Sequence, residues 1–322
     1  MEQTFFDWKY CYDKGVYNII PDRKIERPNT FFKYYALNDY SVDALIHTYI
    51  YASHPNQLND TIDCSEMLLE FDDIEYIRPT LEGHPYFANL KDDELLTVEN
   101  KAFAQKAFTT LIYQKLGILS LSSTPHNDLL WAYYTNNHGF CIEFDVSLFE
   151  FKHHGPFPIN YQHNLYPIPT STIKDSHLAI LMQSNVKKTM WEREQEWRLL
   201  VEAPGNIDLT SFGCAEYAKL GGYDRRFPYP IHAIKSITLG MSFFDFDERI
   251  SSSQEICKDF QCRFKLSNSS SKNLKQAILD FVCYHHIRID YTAVNSLSEI
   301  IFFPMNIEKS NEPDSDYIGT IL

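Results

Sequence analysis

Strand-like and helix-like segments alternate along this chain, yet none of the strand-like segments is followed by a glycine-rich turn. The sequence holds only 11 glycines in 322 residues. A dinucleotide-binding doubly wound fold and a P-loop both need glycines directly after a strand, so this pattern disfavours both. We therefore predict an α+β fold, a single domain in which helices surround a curved, mainly antiparallel sheet.

The domain organisation follows from the lack of internal repeats and of any linker rich in Pro, Gly or Ser. Residues 1–30 carry aromatic residues and turn formers, and we expect them to form an N-terminal arm packed on the body. Residues 31–322 are expected to form the single domain, with a C-terminal helix and strand extension over 241–322.

Hydrophobic periodicity and turn residues predict the individual elements. The predicted strands are 31–37, 50–53, 118–122, 140–145, 196–201, 234–239 and 263–266. The predicted helices are 42–49, 92–116, about 128–136, 174–190, 245–260 and 273–285. Gly117 is expected to close the long helix, and Asn127 or Asp128 to cap the helix that follows.

Composition restricts the function classes. With 29 Lys+Arg against 43 Asp+Glu, the formal net charge is −14, which disfavours a protein that coats duplex nucleic acid. No apolar run approaches the roughly 18 residues of a membrane span, and the N-terminus lacks a signal-peptide pattern. The seven cysteines form no CxxC motif, so we expect reduced cysteines and no metal site. The chain is expected to be cytoplasmic, without a membrane partner.

Charged and aromatic residues are densest over 187–200. If this stretch is extended, its alternating side chains place four charges on one face: Glu192, Glu194, Glu196 and Arg198. Four charges cannot all be buried, so some of them reach solvent or a ligand. In one interpretation Arg198 pairs with a glutamate and pins the strand. In the other, Glu196 is a carboxylate held in a cleft.

Three further blocks of polar and aromatic residues precede this segment. They are Lys33-Tyr34-Tyr35, the loop from Ser53 to Asp63, and Ser120–Thr124 with the Trp131–Tyr134 helix and the turn at His138-Gly139. Each has a structural interpretation as well, because the aromatic helix has the pattern of a core helix and Asn59-Asp60 is typical of a turn.

The order of these four blocks resembles the bacterial domain-of-unknown-function family 2971. That family has a Tyr-containing first strand, a Phe-Asn-Asp-Pro loop, a Ser-x-Ser strand with a Trp-x-x-Tyr helix, and a Lys…Trp…Glu-x-Glu-Trp/Tyr-Arg segment. The blocks here run from about Phe31 to Gly240. Leu58, Thr61 and Asp63 stand where the family favours Phe, Pro and Glu. The family name carries no activity, and the resemblance implies a bacterial stress or phage-defence setting.

The order of Lys33-Tyr34, the Ser120–Thr124 block and Glu196 is similar to that of ADP-ribosyltransferase-like folds. In those folds a late strand supplies a glutamate to the ribose of NAD. This resemblance implies an NAD-using ADP-ribosyltransferase or NAD glycohydrolase with Glu196 as its catalytic residue. The ligand would be a single nucleotide, NAD as substrate, and the acceptor, a protein or a nucleic acid, is left open. The candidate ligand-binding residues are Lys33, Tyr34, Ser53, Asn59, Asp60, Ser122, Trp131, Tyr134, Glu192 and Arg198.

Two other function classes stay open at this point. A metal-dependent nuclease could use Asp60, Asp63 and Glu196, since carboxylates on neighbouring elements bind Mg²⁺. A non-enzymatic sensor or binding module would use an aromatic cleft to recognise a ligand or a protein. Under the NAD hypothesis, we expect the strands that hold Lys33, Ser120 and Glu196 to line one cleft.

Overall fold

The computed structural model describes residues 1–81, 84–149, 154–202, 225–245, 248–250, 261–297, 299–313 and 315–322. The α-helices are α1 Asp39–Ile46, α2 Ile74–Leu81, α3 Asp92–Leu95, α4 Val98–Lys115, α5 Asp128–Thr135, α6 Ser176–Gln183 and α7 Lys272–His285. The strands are β1 Glu2–Phe5, β2 Trp8–Asp13, β3 Val16–Ile20, β4 Thr30–Tyr35, β5 Tyr49–Tyr51, β6 Leu69–Glu70, β7 Leu116–Ser122, β8 Phe140–Asp145, β9 His154–Pro158, β10 Asn160–Gln162, β11 Ile168–Pro169, β12 Val186–Lys188, β13 Glu196–Glu202, β14 Arg226–Pro228, β15 Ile234–Leu239, β16 Arg249–Ile250, β17 Gln261–Phe264, β18 Ile289–Val294, β19 Ile300–Lys309 and β20 Tyr317–Ile321.

The chain divides into two units that alternate along the sequence. Unit 1 comprises Met1–Glu26, Tyr51–Ser120 and Lys152–Arg226. Unit 2 comprises Arg27–Ile50, Leu121–Phe151 and Phe227–Leu322. No helix among the described residues combines the length and the apolar character needed to cross a bilayer.

Unit 1 has a central strand set in the order β7, β13, β9, with an antiparallel three-stranded sheet β1-β2-β3 formed by the N-terminus. Two short parallel pairs, β10 with β12 and β11 with β6, complete its strands. Its core joins aromatic residues of the N-terminal sheet to the apolar residues of α6, Leu178 to Met182. The predicted arm over residues 1–30 is therefore largely a small sheet, packed on a helix of its own unit.

Unit 2 contains the longer sheet, in the order β16, β17, β20, β19, β18, β15, β8, β4, followed by the end of β7. Every neighbouring pair is antiparallel except β15 with β18. Helix α7 packs against α1 and against β19. A separate aromatic cluster around Trp131 lies between α5 and β4 and includes Cys141 of β8.

The α+β class and the mainly antiparallel sheet are confirmed. Asn38 and Asn127 cap α1 and α5 through their side chains, accepting hydrogen bonds from the backbone N–H groups of Ser41 and Leu130. The Glu196 strand and the C-terminal helix also lie where they were predicted.

Several predicted boundaries are wrong. The helix predicted over 42–49 is α1, Asp39–Ile46, and Tyr49 begins β5. The long helix is broken into α3 and α4, and the helix predicted over 174–190 ends at Gln183 and is followed by β12. Gly117 lies inside β7 and does not cap a helix. A Cβ at this position would approach the Ala52 Cβ to 2.6 Å, so the close packing there favours glycine. Of the helix predicted over 245–260, residues 246–247 and 251–260 lie outside the described residues, and 249–250 form a strand.

Candidate functional site

Strand β13 of unit 1 carries the residues that the sequence singled out. Glu196 and Arg198 are two positions apart on this strand, so both side chains point to the same face. Both are buried, with Glu196 6% and Arg198 2% exposed. The intervening Trp197 is buried against the opposite side of the strand.

The extended face predicted for 192–198 is wrong in its first half. Thr189–Glu194 form a 3₁₀ helix, and Gln195 then adopts a left-handed conformation with φ 46° and ψ 47°. The alternation of side chains therefore begins only at Glu196. As a result Glu192 is exposed to solvent, whereas Glu194 is turned inward and buried.

Arg198 uses all of its N–H donors within unit 1. Nε and Nη2 donate to the Oε1 and Oε2 atoms of Glu196 at 2.9 and 3.2 Å. Nη1 and Nη2 donate to Oδ1 and Oδ2 of Asp63 at 2.8 and 2.6 Å, and Nη1 also donates to the carbonyl oxygen of Ser184 at 2.7 Å. Because a guanidinium has five N–H groups, this geometry favours the pairing role of Arg198 over the predicted ligand-binding role.

Lys187 joins the same carboxylates from a neighbouring strand. Its Nζ lies 2.6 Å from Glu194 Oε2, 3.1 Å from Glu196 Oε2 and 3.7 Å from Asp63 Oδ2. It also lies 4.9 Å from the centre of the Trp191 ring, a cation–π contact. We call Asp63, Lys187, Glu194, Glu196 and Arg198 the Arg198 network.

Two hydroxyl groups complete the surroundings of Glu196. The hydroxyl of Ser120 hydrogen-bonds to its carboxylate, and the Tyr161 hydroxyl accepts the Glu196 backbone N–H at 3.0 Å. Tyr161 is placed there by the parallel pairing of β10 and β12, in which it lies directly beside Lys187. Burial and the charge of Glu196 raise the pKa of Tyr161 well above its ordinary value.

The charges of the network determine the protonation of its members. Burial alone would raise the pKa of Glu196, but Arg198 and Lys187, with the Ser120 hydrogen bond, lower it to about 2. Burial alone would lower the pKa of Lys187, but the carboxylates of Glu196, Glu194 and Asp63 raise it. Glu196 is therefore an ionised carboxylate at neutral pH, flanked by two permanent cations.

A turn at residues 60–65 brings Asp63 to Arg198. The Asp60 side chain accepts the backbone N–H of Ile62, and its carbonyl oxygen accepts the N–H of Asp63. The structural interpretation of Asp60 as a turn residue fits this geometry, because Asp bonds readily to nearby backbone groups. Cys64 follows in the left-handed region with φ 57°, and the Asp63 side chain is only 1% exposed.

The other candidate residues of unit 1 are Ser53, Asn59 and Glu192. Ser53 lies half-buried in a bridge to Ile118, in which the two residues exchange backbone hydrogen bonds. Asn59 is exposed in the loop before Asp60. Glu192 is 4.0 Å from Arg23, an exposed pair of the kind that contributes little to stability.

The remaining candidates belong to unit 2, where an aromatic cluster joins some of them. Tyr34 packs edge-on against Trp131 with ring centres 5.2 Å apart, and its hydroxyl donates to the carbonyl oxygen of Thr124. Trp131 is 1% exposed and donates from Nε1 to the Pro125 carbonyl. The structure thus favours core roles for both aromatic residues over ligand contact.

The three other candidates of unit 2 are near members of that cluster in the sequence. The Ser122 hydroxyl is buried and closes a turn with the backbone of Thr124. Lys33 is half-buried on β4, and Tyr134 on α5 is 37% exposed. Of the candidates in this unit, Lys33 and Tyr134 are thus the more accessible.

Sequence reasoning missed Lys187 and Tyr161 as members or neighbours of the site. It placed Glu194 on the charged face without choosing it as a site residue. It chose Ser122 as the ligand-binding residue of the Ser120–Thr124 block, whereas Ser120 is the residue that contacts Glu196. The one available signal was Lys187 itself, a charged residue directly after the buried Val186 on a short strand. Asp63 was considered only as a metal ligand. Across the described residues, no group of three or more His, Cys, Asp or Glu side chains is arranged to hold a metal ion.

Compared with protein-family models, with curated proteins and with solved structures, the chain matches none of them. The resemblance to family 2971 and to ADP-ribosyltransferase-like folds therefore stays a prediction from sequence blocks. What the chain does has to be argued from the Arg198 network itself.

Proposed function

We propose that the chain is an NAD-using enzyme of the ADP-ribosyltransferase or NAD-glycohydrolase type, with Glu196 as its catalytic carboxylate. The observation that carries the proposal is the charge state of Glu196, a buried carboxylate whose pKa is lowered to about 2. A carboxylate that acts as a general acid needs a raised pKa. One that stabilises developing positive charge must stay ionised, as Glu196 does.

The chemistry that suits such a carboxylate is cleavage of the N-glycosidic bond of NAD. The bond between nicotinamide and the ribose breaks, its electron pair leaves with nicotinamide, and positive charge develops on the ribose. The interaction between a carboxylate and a ribose hydroxyl becomes stronger in that transition state, because the ribose carries more positive charge. Attack by water then gives ADP-ribose, nicotinamide and one proton. Attack by another acceptor gives the ADP-ribosylated product.

The two carboxylate oxygens of Glu196 differ in their contacts. Oε1 is held by Arg198 Nε at 2.9 Å, while Oε2 has the longer contacts, 3.1 Å to Lys187 and 3.2 Å to Arg198 Nη2. Lys187 is closer to Glu194 than to Glu196, at 2.6 Å. Lys187 therefore keeps Glu194 as its nearer partner if Oε2 turns to a ribose hydroxyl.

The nuclease alternative is less well supported by the same contacts. Between the carboxylates of Asp63, Glu194 and Glu196 lies the ammonium group of Lys187, at the position that a divalent cation would need. Asp60, the third nuclease candidate, is engaged in its turn. A non-enzymatic binding module remains the second candidate. Every side chain of the network is at most 10% exposed, so the network also fits a purely structural role, which a binding module requires of it.

The test measures nicotinamide release from NAD by the wild-type protein, with and without EDTA. We expect turnover that EDTA does not change, and a fall of about 10²-fold or more in kcat for Glu196→Gln, the scale for losing one preorganised electrostatic group. Glu75→Gln, an exposed carboxylate of unit 1, serves as the matched control and should keep wild-type turnover.

Circular dichroism checks that each variant is folded. If Glu196→Gln does not fold, Glu196→Asp keeps the charge and moves the carboxylate by one methylene, and its turnover should still fall. Equal turnover in wild type and Glu196→Gln contradicts the catalytic role. A folded wild type that releases no nicotinamide and degrades no labelled DNA or RNA would support the binding module.

A further inference from the structure

Asp63 reaches Glu196 chiefly through Arg198, because Lys187, which also lies near both carboxylates, is 3.7 Å from Asp63. The guanidinium presents one edge, Nη1 and Nη2, to both oxygens of Asp63, and another edge, Nε and Nη2, to both oxygens of Glu196. Both edges are bidentate, the geometry that fixes a planar guanidinium most firmly. The orientation of one carboxylate is thereby linked to that of the other.

Asp63 is placed for contact with Arg198, because both of its oxygens accept from the guanidinium and its side chain is 1% exposed. Its position is set by the turn that Asp60 closes and by the left-handed residue Cys64 that follows. A carboxylate buried this deeply is costly unless it has a firm partner. Its one bidentate partner in the described structure is Arg198, and Lys187 lies farther away, at 3.7 Å.

We propose that Asp63 is a positioning residue for Glu196: it locks the plane of the Arg198 guanidinium, and the locked guanidinium orients the Glu196 carboxylate toward the ribose. The inference rests on the proposed function for its catalytic consequence. The orientation itself is a property of the folded protein and can be measured without NAD.

The first measurement is the pKa of Glu196 in the Asp63→Asn variant. Five groups from five segments face Glu196: Arg198 on β13, Lys187 on β12, Tyr161 on β10, Glu194 on the 3₁₀ helix and Asp63 on the turn. Loss of the Asp63 charge alone removes a like charge and lowers the pKa of Glu196. If the Arg198 guanidinium is no longer held in place, its hydrogen bonds to Glu196 weaken and the pKa of Glu196 rises. A purely electrostatic effect and a positioning effect of Asp63 therefore change the pKa of Glu196 in opposite directions.

The experiment follows ¹³C-labelled glutamate carboxylates by NMR from pH 3 to pH 8, with Glu196→Gln identifying the resonance. In wild type we expect Glu196 to stay ionised through most of this range. In Asp63→Asn we expect its titration to move to higher pH. If Glu196 of Asp63→Asn stays ionised over this range as in wild type, the positioning role is wrong whether or not NAD is turned over.

The second measurement separates kcat from KM in the nicotinamide-release assay. Since Asp63 acts on Glu196 through Arg198, we expect Asp63→Asn to lower kcat by about 10²-fold, the scale for misplacing a reacting group by 1 Å, and to leave KM unchanged. Asp63→Glu keeps the charge and should recover part of the lost kcat. Should Asp63→Asn fail to fold, the Glu variant carries both measurements, with a smaller fall in kcat.

A control comes from Asp72, a half-buried carboxylate of unit 1 that accepts hydrogen bonds from Thr170 and Ser171. Asp72→Asn should lower the melting temperature without moving kcat or the Glu196 titration. If Asp63→Asn behaves like Asp72→Asn, Asp63 is only structural and the proposal is wrong. If wild type shows no turnover but the Glu196 titration shifts as expected, the proposed function fails and the positioning role stands.

Discussion

Replacement of Arg198 by Met should be the most destabilising single change in the network. Arg198 is buried and donates twice to Asp63, twice to Glu196 and once to the Ser184 carbonyl. Its loss leaves three buried carboxylates with one cation, Lys187. Removing one partner of a buried pair costs about 3–5 kcal/mol, and because two carboxylates lose their main partner we expect the upper part of this range.

The pH dependence of this cost has a definite sign. In wild type the pKa of Glu196 is lowered to about 2, so its contribution to stability is present above the unfolded value of about 4.3 and is lost as pH falls toward 2. Without Arg198, burial raises the folded pKa of Glu196, and the folded variant then gains stability relative to the unfolded chain as pH falls. The difference between wild type and variant should therefore shrink from pH 7 to pH 5.

The assay is urea unfolding of wild type, Arg198→Met and Arg193→Met at both pH values. Arg193 is an exposed neighbour on the same segment, and its substitution should stay within about 0.5 kcal/mol of wild type. A cost below about 1 kcal/mol for Arg198→Met would mean that the ion pairs of Arg198 contribute no more than exposed ion pairs do. That outcome, or a cost that does not change with pH, would refute the reasoning.

The remaining predictions concern unit 2. Trp131→Ala should cost about 3–5 kcal/mol in urea unfolding, because the ring is 1% exposed, whereas Tyr133→Ala on the same helix, 74% exposed, should cost far less. Equal and small costs would restore the ligand-binding role of Trp131. Gly139→Ala should cost about 1–3 kcal/mol or more, because a Cβ there would lie 2.0 Å from the Tyr35 carbonyl oxygen; unchanged urea stability would contradict this close approach.

Hydrophobic periodicity and capping residues predicted much of the fold, because each of these sequence patterns involves only residues close together in the chain. The alternation over 140–145 and the capping side chain of Asn127 each depend on a few neighbouring residues, and both lie where the sequence placed them. The first hairpin of the N-terminal sheet was missed because its turn uses two non-glycine residues at positive φ, Phe6 and Asp7, which typical turn signals do not mark. The second turn, Lys14-Gly15, does carry a glycine at positive φ, but the sequence-based prediction did not use it.

The candidate site was predictable only in part, because long-range pairing decides it. The alternation rule correctly placed Glu196 and Arg198 on one face, but it failed for Glu192 and Glu194 since Gln195 reverses the backbone between them and the strand. No local pattern indicates that Asp63 meets Arg198, 135 positions later in the chain. The partner of a buried charge is set by the tertiary fold, which a single sequence does not display.

The turn at Asp60 and the strand at Glu196 gain a common explanation from this pairing. Asp60 closes the turn, Asp63 enters the core from it, and Arg198 bridges Asp63 to Glu196. The two sequence blocks that the family resemblance joins only by their order are thus joined here by one guanidinium. Asp63 and Glu196 need no ligand to account for their burial, because each has a charged partner in Arg198. A role in catalysis must therefore be shown by a change in kcat or in the Glu196 titration, since loss of stability alone fits either interpretation.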